Sequence, residues 1–237
     1  MMLKLLAAFV IFGLASARVN VRYDRARLRE ALEQMCQKAG AEDRVDEAER
    51  GILTFADCFN GLVDMESMGP TLEKQGMDMF GAILTFVKNT CKKQSEILSC
   101  VNTGIDAVSL CSDSKIQAKI NETKQGFVEA TDLFCKDDSK AFSEFINDGA
   151  LQCMLDQRLQ LTNRCMRQIQ TLSNYKTLTT EQACVSVNGL TSCFMDVLES
   201  CPKASTPAFV RSLFRAVYKG SYCEFPEEDK KIQDNTI

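Results

Sequence analysis

The chain has 237 residues, 45% of them hydrophobic, with 28 basic against 32 acidic side chains and a net charge of −4. It contains no histidine, which excludes Ser-His-Asp and Cys-His nucleophile systems, histidine general bases and histidine-ligated metals. The acidic balance and the lack of any block of like charge argue against nucleic-acid binding.

In chain order, residues 1–17 read as a secretory signal peptide: a lysine at position 4, the apolar run LLAAFVIFGLA, and Ala15-Ser16-Ala17 as an A-x-A cleavage site. The run is too short for a membrane span, and no later stretch is long and apolar enough for one. Cleavage after Ala17 leaves a working region over 18–225. From there the pattern is helical and no stretch of strand length alternates. Asp24 is placed to cap a first helix carrying Leu28, Leu32, Met35 and Cys36, with Gly40 as its stop. Asp43 is placed to cap a second, whose Val45, Ala48, Ile52, Phe55, Phe59 and Leu62 recur at three or four residues. Met68-Gly69-Pro70 breaks that stripe, and a long helical segment from about Thr71 follows, kinked or ended near Asn89–Lys93. Ser112-Asp113-Ser114 carries cap chemistry before the stripe Ile116, Ile120, Phe127 and Phe134. Asp138-Ser139 opens a short turn with Phe142 and Phe145, and Asn147-Asp148-Gly149 interrupts it. Another helix spans about Leu151–Leu172. Thr179 and Gln182 fit a capping box for a helix ending at Cys201-Pro202. Pro207 suits the first position of the last helix, which Gly220 closes. The polar residues 226–237 form a flexible acidic tail. The fold class expected is all-α: a disulfide-stapled bundle of about seven to nine helices.

Twelve cysteines follow the signal: Cys36, Cys58, Cys91, Cys100, Cys111, Cys135, Cys153, Cys165, Cys184, Cys193, Cys201 and Cys223. An even count in an exported chain reads as six disulfides. Zinc is disfavoured, because no C-x-x-C pair and no histidine occurs. The first six are spaced 22, 33, 9, 11 and 24 residues apart and the last six 12, 19, 9, 8 and 22. The final three gaps nearly match, and ILSC at 97–100 echoes LTSC at 190–193, so two related halves are expected, about 24–138 and 139–225. Cysteines nine apart on one helix lie about 13.5 Å apart on opposite sides, beyond the Cα separation of about 7 Å that a disulfide tolerates. Cys184 and Cys193 must therefore reach different neighbours, as must Cys91 and Cys100. Antiparallel pairing about the breaks at Cys201-Pro202 and Cys111–Ser114 predicts Cys91–Cys135 and Cys184–Cys223. Twelve cysteines allow roughly ten thousand pairings, and the other four bridges stay open.

No nucleotide-binding glycine loop and no EF-hand loop is present. Asp57 and Asp64, with Asp46 and Glu49 before them, are the carboxylates nearest to a hydrolase pair, but they interleave with the apolar stripe and read as its solvated side. Arg25, Arg27, Arg29, Lys92 and Lys93 likewise read as solvated faces and helix-end charges. Met65, Met68, Met77 and Met79 cluster beside Phe55, Phe59, Phe80 and Phe86. That set suits an adaptable apolar pocket for a lipid, or an ordinary core without tryptophan. Asn121-Glu122-Thr123 is an N-glycosylation acceptor.

The signal peptide, the helical pattern, the twelve cysteines with their two C-x8-C clusters and the N-x-T site together resemble the insect 27 kDa hemolymph glycoprotein family, over essentially the whole chain from Arg18. The resemblance implies a secreted, circulating glycoprotein, and it brings no catalytic residues with it. Insect odorant-binding proteins differ, since their middle C-x3-C is missing from both halves here. The expectation is an extracellular, non-enzymatic protein of hemolymph without a cofactor. Its partner would be a lipid or other hydrophobic small molecule, or alternatively a protein or an immune target surface.

Overall fold

The computed structural model describes residues 25–63, 77–173, 179–203, 205–221, 223 and 225–226. The expected signal peptide, the caps at Asp24, and nearly all of the expected tail lie outside them. Among the described residues there are ten α-helices and no strand. They are α1 (Arg25–Ala39), α2 (Val45–Leu62), α3 (Met77–Cys91), α4 (Gln94–Ser109), α5 (Ser114–Ala118), α6 (Ile120–Asn147), α7 (Ala150–Asp156), α8 (Arg158–Ser173), α9 (Thr180–Leu198) and α10 (Ser205–Tyr218). The count exceeds the expected seven to nine for two reasons. The long third segment breaks at Lys92-Lys93, and a single residue, Gln157 (φ −81°, ψ −2°), divides the expected 151–172 helix into α7 and α8.

Helix ends follow local chemistry in most places. Asp113 accepts from the backbone N–H groups of Lys115 and Ile116 and starts α5. Thr179 and Gln182 form a reciprocal capping box on α9. Asp43 does not cap α2: it sits in a 3₁₀ turn over Glu42–Arg44, which places Arg44 at the cap position without a side-chain bond. Pro207 falls two residues inside α10, still in the first turn, where its missing N–H costs nothing.

The largest departure from regular geometry lies inside α6. Its ladder is interrupted at Lys136 (ψ 144°), and Asp137, Asp138 and Ser139 all take the left-handed conformation, with φ of 52°, 56° and 63°. The expected cap at Asp138-Ser139 is thus a left-handed turn. Such a residue costs about 1–2 kcal/mol when it is not glycine, somewhat less for aspartate. The turn splits α6 into a first arm over 120–135 and a second over 140–147. It is tied to the last turn of α3, where Lys88 Nζ meets Asp138 Oδ2 at 2.7 Å and the buried Ser139 hydroxyl lies 3.8 Å from Cys91 Sγ.

Three apolar clusters result. The first unites Phe80 of α3, Phe142, Phe145 and Ile146 of the second arm of α6, Met195 and Leu198 of α9 and Val210 of α10. Phe145 and Phe209 lie 4.6 Å apart between ring centroids, and burial of such rings contributes about 1.5–3 kcal/mol each. The second joins Leu32 and Cys36 of α1 to Val45, Ala48 and Ile52 of α2 and Ala107 beside Cys111. The third lies where α10 crosses the first arm of α6, through Ala130, Leu213 and Ala216. There the helices come so close that a Cβ on Gly126 would overlap the carbonyl oxygen of Ala216.

All twelve cysteines stand at bonding distance in six pairs: Cys36–Cys111, Cys58–Cys100, Cys91–Cys135, Cys153–Cys201, Cys165–Cys193 and Cys184–Cys223. Numbered within each set of six, both sets connect first to fifth, second to fourth and third to sixth. Fifteen connectivities are open to six cysteines, so agreement between the two sets has a chance of about one in fifteen. No pair joins a cysteine up to Cys135 with one from Cys153 onward.

Candidate functional site

The eight residues of the expected apolar pocket fall in separate places. Met65 and Met68 lie outside the described residues, as does the side chain of Met77. Phe55 and Phe59 are neighbours on α2, 5.7 Å between centroids, and Phe55 packs against Gly104 of α4. Phe80 is buried in the first cluster with Met79 against it, and Phe86 is half-buried on α3. The apolar sequence of α3 is covered incompletely by the described elements: Phe80 is buried, whereas Met79, Ile83, Leu84, Phe86 and Val87 keep part of their surface.

Two of the hollows among the described residues open to solvent. One, of about 450 Å³, lies between the turn at Gly40–Arg44 and the end of α4. The other, of about 470 Å³, runs along both arms of α6 and α10 and carries Lys136, Lys140 and Arg215 among Asp132, Asp137 and Glu144. At its edge the Lys219 ammonium holds the Glu129 carboxyl below the usual carboxylate range. Gln94 donates to Asp132 at 2.8 Å, and the Arg215 guanidinium lies over the Phe225 ring.

Of the carboxylates near a hydrolase-like pair, Asp46, Glu49 and Asp57 are described. Asp57 is exposed and Asp64 lies outside the described residues. Glu49 is not solvated as its spacing suggested: its side chain is 3% exposed and accepts from Arg25 Nε and Arg29 Nη1, both at 2.6 Å. Arg29 also reaches Asp46 at 2.9 Å. Two of the three arginines read as surface charge therefore clamp α1 onto α2. Spacing hid this because Glu49 sits one position past the apolar stripe and its partners are on another helix. The Arg25 hydrogen bond, followed by that of Arg29, holds the Glu49 carboxyl below its usual 4.5 against the opposing effect of burial. Because the folded-state value is depressed, the stabilisation is complete above the unfolded value and is lost as pH falls through the folded one. A Glu49→Gln variant is expected to show a flatter loss of stability below pH 4.5 than wild type, read from denaturant midpoints across pH.

Tyr218 is buried, with its hydroxyl 2.8 Å from Thr191 Oγ1, and burial pushes it up to about 12. A raised value means that stability falls as pH rises from the usual 10 toward 12. In an alkaline absorbance titration one tyrosine is expected to ionise near pH 12, and Tyr218→Phe is expected to abolish that step.

Asn121 is exposed on the first turn of α6. The Thr123 hydroxyl, two residues on, shares its one proton between Lys119 O at 3.1 Å and Gly220 O at 3.2 Å. Gly220 has φ 68°, and a Cβ there would lie 2.7 Å from Lys119 O, so the turn after α10 rests directly on the acceptor segment.

No helix among the described residues is long and apolar enough to cross a membrane. The chain is similar to the "27 kDa glycoprotein" of Bombyx mori, with 25% identity over 204 residues, 84% of this chain and 88% of the relative. It is similar to the "27 kDa hemolymph protein" of Galleria mellonella at 24%, covering 83% and 84%. The "27 kDa hemolymph glycoprotein" of Manduca sexta is 23% identical, covering 92% and 95%. No solved structure matches. This kinship with hemolymph glycoproteins places the protein outside the cell, as a secreted protein of hemolymph. A family described as "Protein of unknown function (DUF1397)" matches residues 22–223, and it is to this family that the chain belongs.

Proposed function

We propose that this hemolymph protein is non-enzymatic and carries a hydrophobic small molecule against α3. The observation that carries the reading is the partial exposure of Ile83, Leu84, Phe86 and Val87 on a helix whose polar residues Asp78, Thr85, Lys88 and Asn89 are confined to one stripe. These side chains lie off the polar stripe, Ile83, Leu84 and Val87 against the first cluster, and incompletely covered apolar side chains between helices suit a lipid-like ligand. Protein purified from its natural fluid is to be extracted with organic solvent and the extract read by mass spectrometry. One apolar molecule at near-stoichiometric yield supports the reading; an empty extract overturns it.

A second reading, binding to an anionic microbial surface, has its own support. The segment Arg158–Ser173 has no acidic residue in an otherwise acidic chain. Arg158 and Arg164 are exposed on that helix, as is Leu159, at 66%. Binding to immobilised microbial surfaces that is lost in Arg158→Glu/Arg164→Glu, together with an empty solvent extract, favours this reading over carriage.

Asn121 is the proposed site of the glycan. Asn121→Gln is expected to reduce the mass by one N-glycan at unchanged stability. Thr123→Ala is expected to lose the same glycan and about 1 kcal/mol besides, because its hydroxyl also holds the Gly220 turn. Mass spectrometry with denaturant unfolding separates the two variants.

A further inference from the structure

We propose that residues 136–139 are a hinge through which two copies of this chain exchange halves, forming a domain-swapped dimer. Four observations converge on it. Asp137, Asp138 and Ser139 occupy three consecutive left-handed conformations without a glycine among them, the conformation that L-residues avoid most. Lys136, Asp137 and Asp138 are exposed, so opening the turn uncovers only Ser139 and breaks one exposed ion pair, Lys88–Asp138. No cysteine pair crosses the interval between Cys135 and Cys153, whereas every peptide bond from Cys36 to Cys135 and from Cys153 to Cys223 is enclosed by at least one pair. Each half is thus locked internally while the connection between them is not.

The fourth observation concerns what exchange leaves intact. The halves meet where α10 crosses the first arm of α6 and where α3 packs on its second arm. In a swapped dimer these contacts are remade with the second copy, so the apolar burial is retained. The hinge is the part that changes. If 136–139 turns right-handed, the two arms join into one helix over 120–147, and the left-handed strain is relieved. Strained short hinges invite this exchange. The partner is a second copy because only the same chain presents both complementary faces.

The test uses the full-length secreted protein, concentrated and then separated by size-exclusion chromatography with light scattering. Asp137→Gly/Asp138→Gly and Asp137→Ala/Asp138→Ala both remove the Lys88 ion pair and differ in the backbone alone. Glycine accepts the left-handed turn and alanine favours the straight helix. The alanine variant is expected to hold at least about tenfold more dimer at equilibrium than the glycine variant. Spin labels at Gln125 and Asn147 of one chain, diluted with excess unlabelled chain before the dimer forms so that only the intrachain pair is read, are expected to lie farther apart in the dimer than in the monomer, near the 33 Å or so of twenty-two helical rises. Equal dimer fractions in the two variants, no dimer in either, or a dimer with the monomer's label distance each overturn the proposal.

Discussion

Replacing Cys36 and Cys111 together by serine is expected to lower the unfolding free energy by about 4 kcal/mol. The pair closes 75 residues, the longest interval of the six. In the chain-entropy account the loss grows with the logarithm of loop length, so Cys165→Ser/Cys193→Ser, which opens 28 residues, should cost about 1 kcal/mol less. Cys36 and Cys111 are also both buried in the cluster that seats α1, and two serine hydroxyls there add a desolvation cost. A loss of this size is a large fraction of a typical domain's stability. Denaturant midpoints of the two double variants check it. Equal losses would mean that loop length is not what the long bridge contributes.

Gly126→Val should cost about 2–4 kcal/mol and loosen the contact between the halves. The overlap is with the backbone oxygen of Ala216, and Lys219 Cβ lies 3.0 Å from the same point. A backbone atom cannot turn aside as a side chain does, so α10 must move off α6. Forced overpacking typically costs about 1–3 kcal/mol, and the Ala130, Leu213 and Ala216 cluster opens with it. The control is Gly61→Ala on α2, where nothing lies within 4 Å of the added Cβ. That change is expected to stabilise by about 0.5–1 kcal/mol through helix propensity. Thermal or denaturant unfolding of both variants should move in opposite directions.

Much of this architecture is written in local sequence. The i, i+3, i+4 recurrence from Val45 to Leu62 marks α2 closely, and Thr179 with Gln182 marks the start of α9. The nine-residue gap between Cys184 and Cys193 was enough to require different partners, and on α9 they face Cys223 and Cys165 respectively. What escaped the sequence depends on meetings between distant segments. Glu49 looked like a solvated charge because its partners, Arg25 and Arg29, lie 24 and 20 residues away on another helix. The left-handed turn at Asp137–Ser139 was visible as a break but not in its handedness, since nothing short of the surrounding packing demands three such residues. The methionine–phenylalanine set is clustered in sequence, yet Phe80 turns toward the Phe142 cluster while Phe55 packs against Gly104 of α4 with Phe59 beside it. Adjacency along the chain gave no means of choosing between those destinations.

The shared connectivity of the two cysteine sets also governs how the protein responds to proteolysis outside the cell. A single nick between Cys36 and Cys135, or between Cys153 and Cys223, leaves the two fragments covalently joined, so the molecule keeps its mass and its wound is invisible on a non-reducing gel. Because the bridges overlap within each half, no piece can leave until a second cut falls inside the same loop. A nick at 136–152 is different: no bridge spans it, so two pieces, each still closed by three bridges, are held by packing alone and separate on a non-reducing denaturing gel. Fragments of that kind, recovered without reductant from old fluid, would form a record of one place on the surface, while the wear suffered everywhere else stays hidden until the bridges are opened.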